Sequence, residues 1–171
     1  LDRSSAASDV YKRQEHTRRG VEVARLNLSD VLELYDLRAG VDGIASRLAA
    51  ERMTSADLAA LRGVLDAQGA AAIGDPKSFR DLDARFHQII VQTCGNSRVI
   101  RHSELLLREM RLAGPLLLNE SWHLKLSHEE HRTIERALRQ RDGPAAETAM
   151  RSHLQRVAQA VQHLSLIHIS E

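Results

Sequence analysis

The chain has few of the residues that cross-link, stack or embed a protein. Its single cysteine, Cys94, excludes a disulfide framework and fits a reducing compartment. Aromatic residues are only 3% of the 171, too few for the stacking platforms that hold single-stranded nucleic acid. No run approaches the roughly 20 apolar residues of a membrane span. Neither charge dominates: 24 Lys and Arg face 23 Asp and Glu, so no overall field calls for nucleic acid or an anionic membrane. What is present is 43% hydrophobic residues, enough to bury one core. The expectation is a single domain, soluble and cytoplasmic.

Both ends read differently from the middle. Ser4 to Gln14, SSAASDVYKRQ, and Leu164 to Glu171, LSLIHISE, resemble in-frame translations of the transposase adapter used in sequencing libraries. Residues 1–14 and 164–171 are therefore expected to be artefacts and are set aside from fold reasoning. In HTRRGVEVARLNLSD, Val21 and Val23 alternate beside basic residues. Two readings stand for residues 15–28, a frayed terminus and the last strand of a unit that lies upstream.

From Ser29 to His163 the apolar residues recur at helical spacing in six segments. The first starts at Ser29 as N-cap, runs through Leu32, Leu34, Leu37, Val41, Ile44 and Leu48 to Arg52, and is weakened by Gly40 and Gly43. Thr54 or Ser55 with Asp57 opens the second. Asp75 with Pro76 at the first helical position opens the third, which Gly95 stops. Asn96 caps the fourth, which reaches Gly114-Pro115, with LLLNESWHLKL as a kinked continuation. Ser127 and Glu130 read as a capping box for the fifth. Asp142-Gly-Pro144 separates it from the sixth, which ends near His163. Short connections between long helices predict an all-α antiparallel bundle of about six helices.

Four metal-binding side chains fall on the inward faces of this pattern. Asp83 and His87 are four apart, roughly 40° around a helix axis, so one helix offers two ligands. Both flank the stripe of Phe79, Leu82, Phe86 and Ile90. His131 shares a face with Ile134 and Leu138, and His153 with Met150, Val157 and Val161. A buried carboxylate is costly unless paired or bound to a metal. For any one histidine, a core imidazole bonded to a neighbour is the simpler reading; three helices each turning a polar group inward favour a common purpose. Three imidazoles and a carboxylate leave coordination positions open to a ligand and suit Zn, with Ni, Fe or Mn also compatible. His102, His123, His128 and His163 read as surface or helix-end residues, although His128, three before His131, is placed to compete for the site.

These motifs resemble the FCD domain, the ligand-binding domain of FadR-subclass GntR transcription regulators. The resemblance covers about Ser29 to Leu164 and rests on DVLELYDLRAGVDGIASRLAAERM, LDARFHQIIVQTCGNSRVI and SHEEHRTIERALRQRDGPAAETAMRSHL. It implies a divalent metal on Asp83, His87, His131 and His153. It also implies a small organic acid as effector and Arg38 as the arginine that pairs with that acid or with a bundle carboxylate. RRGVEV, Arg18 to Val23, is similar to the end of the wing in the family's N-terminal winged helix-turn-helix. Residues 15–28 would then be wing remnant and linker, and DNA would be reached only through a domain absent from this chain, in a homodimer. The chain departs from the family at Asp42, where glutamate is common, and at Gly40 and Gly43.

The expected function is therefore the effector-sensing domain of a transcription regulator, with no catalysis of its own. Two alternatives remain at this stage. A helical metalloenzyme acting on a small carboxylate would use the same ligands with a bound water, yet the nearest base, Glu130, is already assigned to a cap. A purely structural helical module would use the polar residues only to pair with one another. Paired Glu-x-x-His motifs are missing, which argues against a di-iron bundle.

Overall fold

Capped, amphipathic segments become six helices in a computed structural model of the chain, which describes residues 16–17, 20–21, 26–111 and 121–168. They are α1 (Leu28–Arg52), α2 (Ser55–Ala71), α3 (Pro76–Thr93), α4 (Ser97–Met110), α5 (Ser121–Arg139) and α6 (Gly143–His168). Ahead of them a two-stranded antiparallel ladder pairs β1 (His16–Thr17) with β2 (Gly20–Val21). The expected artefact at residues 1–14 lies outside the described residues.

Most of the helix starts follow the capping chemistry of the sequence. Thr54 and Asp57 form a reciprocal capping box, Asp75 accepts from the Ser78 N–H with Pro76 behind it, and Asn96 accepts from the Arg98 and Val99 N–H groups. Gly95 adopts φ +66°, the left-handed conformation that ends α3. Four expectations are corrected. The cap of α1 is Asn27, not Ser29, because Asn27 and Asp30 satisfy each other's backbone N–H groups at 3.0 Å. α4 closes at Met110, and α5 is already helical at Ser121. Ser127 and Glu130 therefore stand inside α5 and are spent on α6. Finally, α6 continues past His163 to His168.

α1 packs against α3, α4, α5 and α6 and buries Val31, Tyr35, Ala39, Ala45, Ala49 and Ala50 in the core. α6 runs antiparallel along it: Arg47 Nε bonds Glu147 at 3.0 Å, and Arg141 donates to the Ala50 carbonyl at 3.1 Å. α4 is antiparallel on another side, where Ser103 meets Asp42 and Met110 meets Arg38. α2 and α5 pair through Gln68 with His131 and Arg62 with Glu135. The core between them holds Leu61, Phe86, Ile90, Ile134, Leu138, Met150 and Leu154, all buried. No helix among the described residues is long and apolar enough to cross a membrane.

The two glycines of α1 do different work. A Cβ at Gly43 would stand 2.9 Å from Arg151 Cγ, so glycine lets the Arg151 side chain lie against α1. A Cβ at Gly40 would meet nothing within 4 Å. Gly40→Ala is therefore expected to raise stability by about 0.5–1 kcal/mol, by reducing the freedom of the unfolded chain. Gly43→Ala should gain less or lose. Urea denaturation of the two variants checks this; a Gly40→Ala midpoint below wild type would contradict it.

Candidate metal centre

The helices bring Asp83, His87, His131 and His153 into one cluster. One ligand atom from each lies within 4.8 Å of those from the other three. α3 supplies Asp83 and His87 one turn apart, α5 supplies His131 and α6 supplies His153. The three imidazoles are no more than 2% exposed, whereas the Asp83 side chain is 31% exposed and forms the open side. Phe86 fixes the back wall: its ring stacks on His131 with centroids 4.2 Å apart.

Every histidine faces an acceptor through Nδ1. His131 Nδ1 bonds Gln68 Oε1 at 2.8 Å, His153 Nδ1 bonds Glu130 Oε2 at 2.7 Å, and His87 Nδ1 stands 3.5 Å from Asp42 Oδ2. Amide and carboxylate oxygens only accept, so the proton of a neutral His131 or His153 ring belongs on Nδ1 and the Nε2 lone pair is left for the cluster. His131 Nε2 and His153 Nε2 are then two acceptors 3.1 Å apart, and His131 Nε2 is 3.5 Å from Asp83 Oδ1. Lone pairs and a carboxylate turned on one another repel unless a cation lies among them. Both ring nitrogens of His87 are buried with no hydrogen-bond partner, Nδ1 lying 3.5 Å from Asp42 Oδ2. The donor set therefore fits a divalent ion.

The charge states agree. Burial pushes the His131 imidazole well below the ordinary range, with His153 adding to it. Burial also lowers His153, against the opposing pull of Glu130. Both are neutral near pH 7, the form that ligates. Around them stand two buttressed carboxylates. Burial alone would raise Asp42, but Arg38, His87 and Ser103 outweigh it and hold its carboxyl at about 2. Burial would likewise raise Glu130, but His153 and Arg156 outweigh it and hold it low. Arg156 also reaches Ser127 Oγ at 2.9 Å and His123 Nδ1 at 3.0 Å.

Beside the cluster opens a cavity of about 700 Å³. Asp83 and His153 line it from the metal side, and Arg38, Tyr35, Ser103 and His123 line it elsewhere. Arg38 pairs with Asp42 at 3.0 Å, the bundle carboxylate, and its Nη2 is buried without a partner.

Sequence reasoning missed the supporting shell. Asp42 was noted only as a departure, Glu130 was assigned to a cap, and His123, expected at the surface, is 4% exposed. Gln68 had a legible signal: it continues the buried face of Leu61 and Leu65 three residues on. His128 lies against Gly69 of α2 and is not one of the four clustered residues, while His102 and His163 are exposed.

Residues 33–156 match the family model described as the FCD domain. The chain belongs to this family. Its curated relatives are transcription regulators. They include the galactonate operon transcriptional repressor of Escherichia coli K12, 28% identical over 121 residues, covering 68% of this chain and 51% of the relative. The HTH-type transcriptional regulator LutR of Bacillus subtilis 168 is 32% identical over 135 residues, covering 75% and 60%. The chain thus spans about half to three fifths of the length of these relatives. Among solved structures, E. coli McbR/YncC superposes with TM-score 0.77 at 18% identity, over 88% of this chain and 77% of that one. Streptococcus agalactiae GntR gives 0.67 at 22% identity, over 85% and 73%. At those identities the superpositions show that this FCD domain shares the fold. The relatives bear the names of regulators, which disfavours the metalloenzyme alternative.

The buried histidines give the metal-free FCD domain a pH dependence. Burial lowers His123 from 6.5 to about 4, with Arg156 adding to it. Between those values the unfolded ring takes a proton that the folded ring refuses, so stability falls as pH drops through that window. His131 and His153 act in the same sense. The urea midpoint of chelated protein should be lower at about pH 5 than at about pH 7.5, and His123→Asn should flatten part of the slope. A midpoint that rises on acidification would contradict this.

Proposed function

We propose that this FCD domain is the effector-sensing module of a GntR-family, FadR-subclass regulator that holds one divalent metal and takes a small organic acid beside it. The observation that carries the reading is the convergence of three buried imidazoles and the Asp83 carboxylate, with His131 and His153 bonded to acceptors through Nδ1 and His87 Nδ1 3.5 Å from Asp42. Asp83, His87, His131 and His153 would hold the ion, with Zn best suited to three imidazoles and a carboxylate and Ni, Fe or Mn also compatible. Bound there, a divalent ion would supply a Lewis-acidic anchor for a carboxylate. Arg38, on the cavity wall with an unpartnered Nη2, would take another oxygen of the acid by a charge-assisted hydrogen bond. The galactonate operon repressor bears the name of a sugar acid, which fits this ligand class.

The parent protein would be a cytoplasmic regulator that reaches DNA through a helix-turn-helix domain, of the kind named for LutR. Residues 15–28 would be the tail of its wing and the linker. Binding of the acid would shift helices and so the spacing of the DNA-binding domains in a dimer.

A face for that dimer is available. Leu34, Leu37, Val41, Ile44 and Leu48 recur every three or four residues along the outer side of α1, and Leu37 is 57% exposed. The antiparallel pairing of α4 sets Leu105, 43% exposed, level with Val41. Glu104 turns to Gln92 of α3, and Leu105, about 100° further around α4, would stand nearer the α1 stripe. A two-fold axis across this face would bring the acidic start of α1, with Glu33 and Asp36, to the basic start of α4, with Arg98 and Arg101.

Two experiments follow. Purified protein should carry close to one divalent metal per chain, and chelation should lower its melting temperature, since a ligand at a hundred times its dissociation constant stabilises the native state by about 2.7 kcal/mol. Arg38→Ala should weaken small dicarboxylates in calorimetry while leaving the metal content unchanged. No metal by elemental analysis, with melting indifferent to chelator and add-back, would sink the reading. Separately, sedimentation should show a dimer that Leu37→Asp with Leu105→Asp converts to folded monomer; a dimer that persists would move the interface elsewhere.

A further inference from the structure

We propose that Asp42 is a positioning residue shared by the metal centre and the effector arginine, so that one carboxylate sets both halves of the binding site. The inference rests on the metal- and acid-binding reading above.

Asp42 is 1% exposed, and both its oxygens are committed to protein. Oδ2 accepts from Arg38 Nε at 3.0 Å and faces His87 Nδ1 at 3.5 Å. Oδ1 accepts from the Ser103 hydroxyl at 2.8 Å. The carboxylate thus joins α1, α3 and α4 at one point. Both neighbours on Oδ2 carry unused buried polar atoms: Arg38 keeps an unpartnered Nη2, and neither ring nitrogen of His87 has a hydrogen-bond partner.

The geometry explains both. Gripped by Nε on Asp42 and by Nη1 on Met110 Sδ, the guanidinium keeps Nη2 unpartnered, and Arg38 lines the cavity. Asp42 Oδ2, 3.5 Å away, favours the His87 proton on Nδ1, which leaves the Nε2 lone pair for the cluster of Asp83, His131 and His153. A purely structural ion pair would not need the histidine. A purely metal-supporting carboxylate would not need the arginine. Asp42 serves both because it sits one helical turn after Arg38 on a face that α3 and α4 both cover.

The test uses the full chain with Asp42→Asn and Asp42→Glu and needs no effector. Asparagine keeps the shape but loses the charge and can turn an N–H toward His87 or Arg38; glutamate keeps the charge. Metal affinity is read with Co²⁺ in competition with a chromophoric chelator, together with the visible absorption of the Co²⁺ complex. Arg38 is read by the exchange rate of its Nε proton in ¹⁵N NMR. Asp42→Asn is expected to weaken Co²⁺ by about 10- to 100-fold, to alter the absorption band and to speed exchange at Arg38 Nε. Asp42→Glu should restore most of both. Co²⁺ affinity within twofold of wild type in Asp42→Asn, or an unchanged band with only a lower melting temperature, would overturn the proposal. If Asp42→Asn fails to fold, Ser103→Ala, which removes one hydrogen bond to the carboxylate, should move both readouts in the same direction by a smaller factor; no movement would overturn the proposal equally. A wild-type chain that binds no Co²⁺ overturns the metal reading itself, and that result is distinct from one in which only the variants are indifferent.

Discussion

Two imidazole nitrogens 3.1 Å apart in the middle of a helical bundle form the constraint on which the rest of this structure depends. A buried polar group without a partner costs about 1–3 kcal/mol, and here three histidines and a carboxylate share one site. The surroundings answer that cost residue by residue. Gln68 and Glu130 each occupy one Nδ1, Asp42 stands 3.5 Å from the third, and Arg156 and Arg38 in turn neutralise the two carboxylates among them. What these partners leave unanswered points inward, at one place. A bundle with no use for that place would have been more stable with apolar residues there.

The same layout links the cluster to its neighbours. Arg156 ties His153's partner Glu130 to Ser127 and His123 on the cavity wall, and Asp42 ties His87 to Arg38 on another part of it. α1 therefore faces the site with Arg38 and Asp42 and leaves Leu37 exposed, with Val41 and Ile44 half-buried along its length. A displacement of α1 or α4 at the cavity would be felt on the face proposed for the dimer. Coupling of that kind needs two arrangements of packed helices, not a flexible core.

Much of this was legible in the sequence because it follows from local rules. The four-residue step from Asp83 to His87 and the apolar neighbours of His131 and His153 fix which way the side chains point, whatever the loops do. Thr54, Asp75, Asn96 and Gly95 act within a few residues of themselves, so their caps and stop could be read directly. The misses have a different origin. Ser127 and Glu130 satisfy the spacing of a capping box, but α5 is helical from Ser121 and a residue on another helix, Arg156, claims both side chains. Ser29 was displaced as a cap by Asn27, two residues earlier, because the Asn27 and Asp30 pair closes reciprocally. His123 and Asp42 gain their roles from contacts 33 and 61 residues away, which no local pattern carries.

X-ray absorption at the edge of the bound metal tests the central claim most directly. With zinc, the account predicts three nitrogen scatterers at about 2.0–2.1 Å with the multiple-scattering signature of imidazole, and oxygen at about 2.0–2.2 Å. His131→Ala should remove one imidazole from that shell. A shell of oxygens alone, or an imidazole count that ignores loss of His131, would place the metal elsewhere and contradict the account.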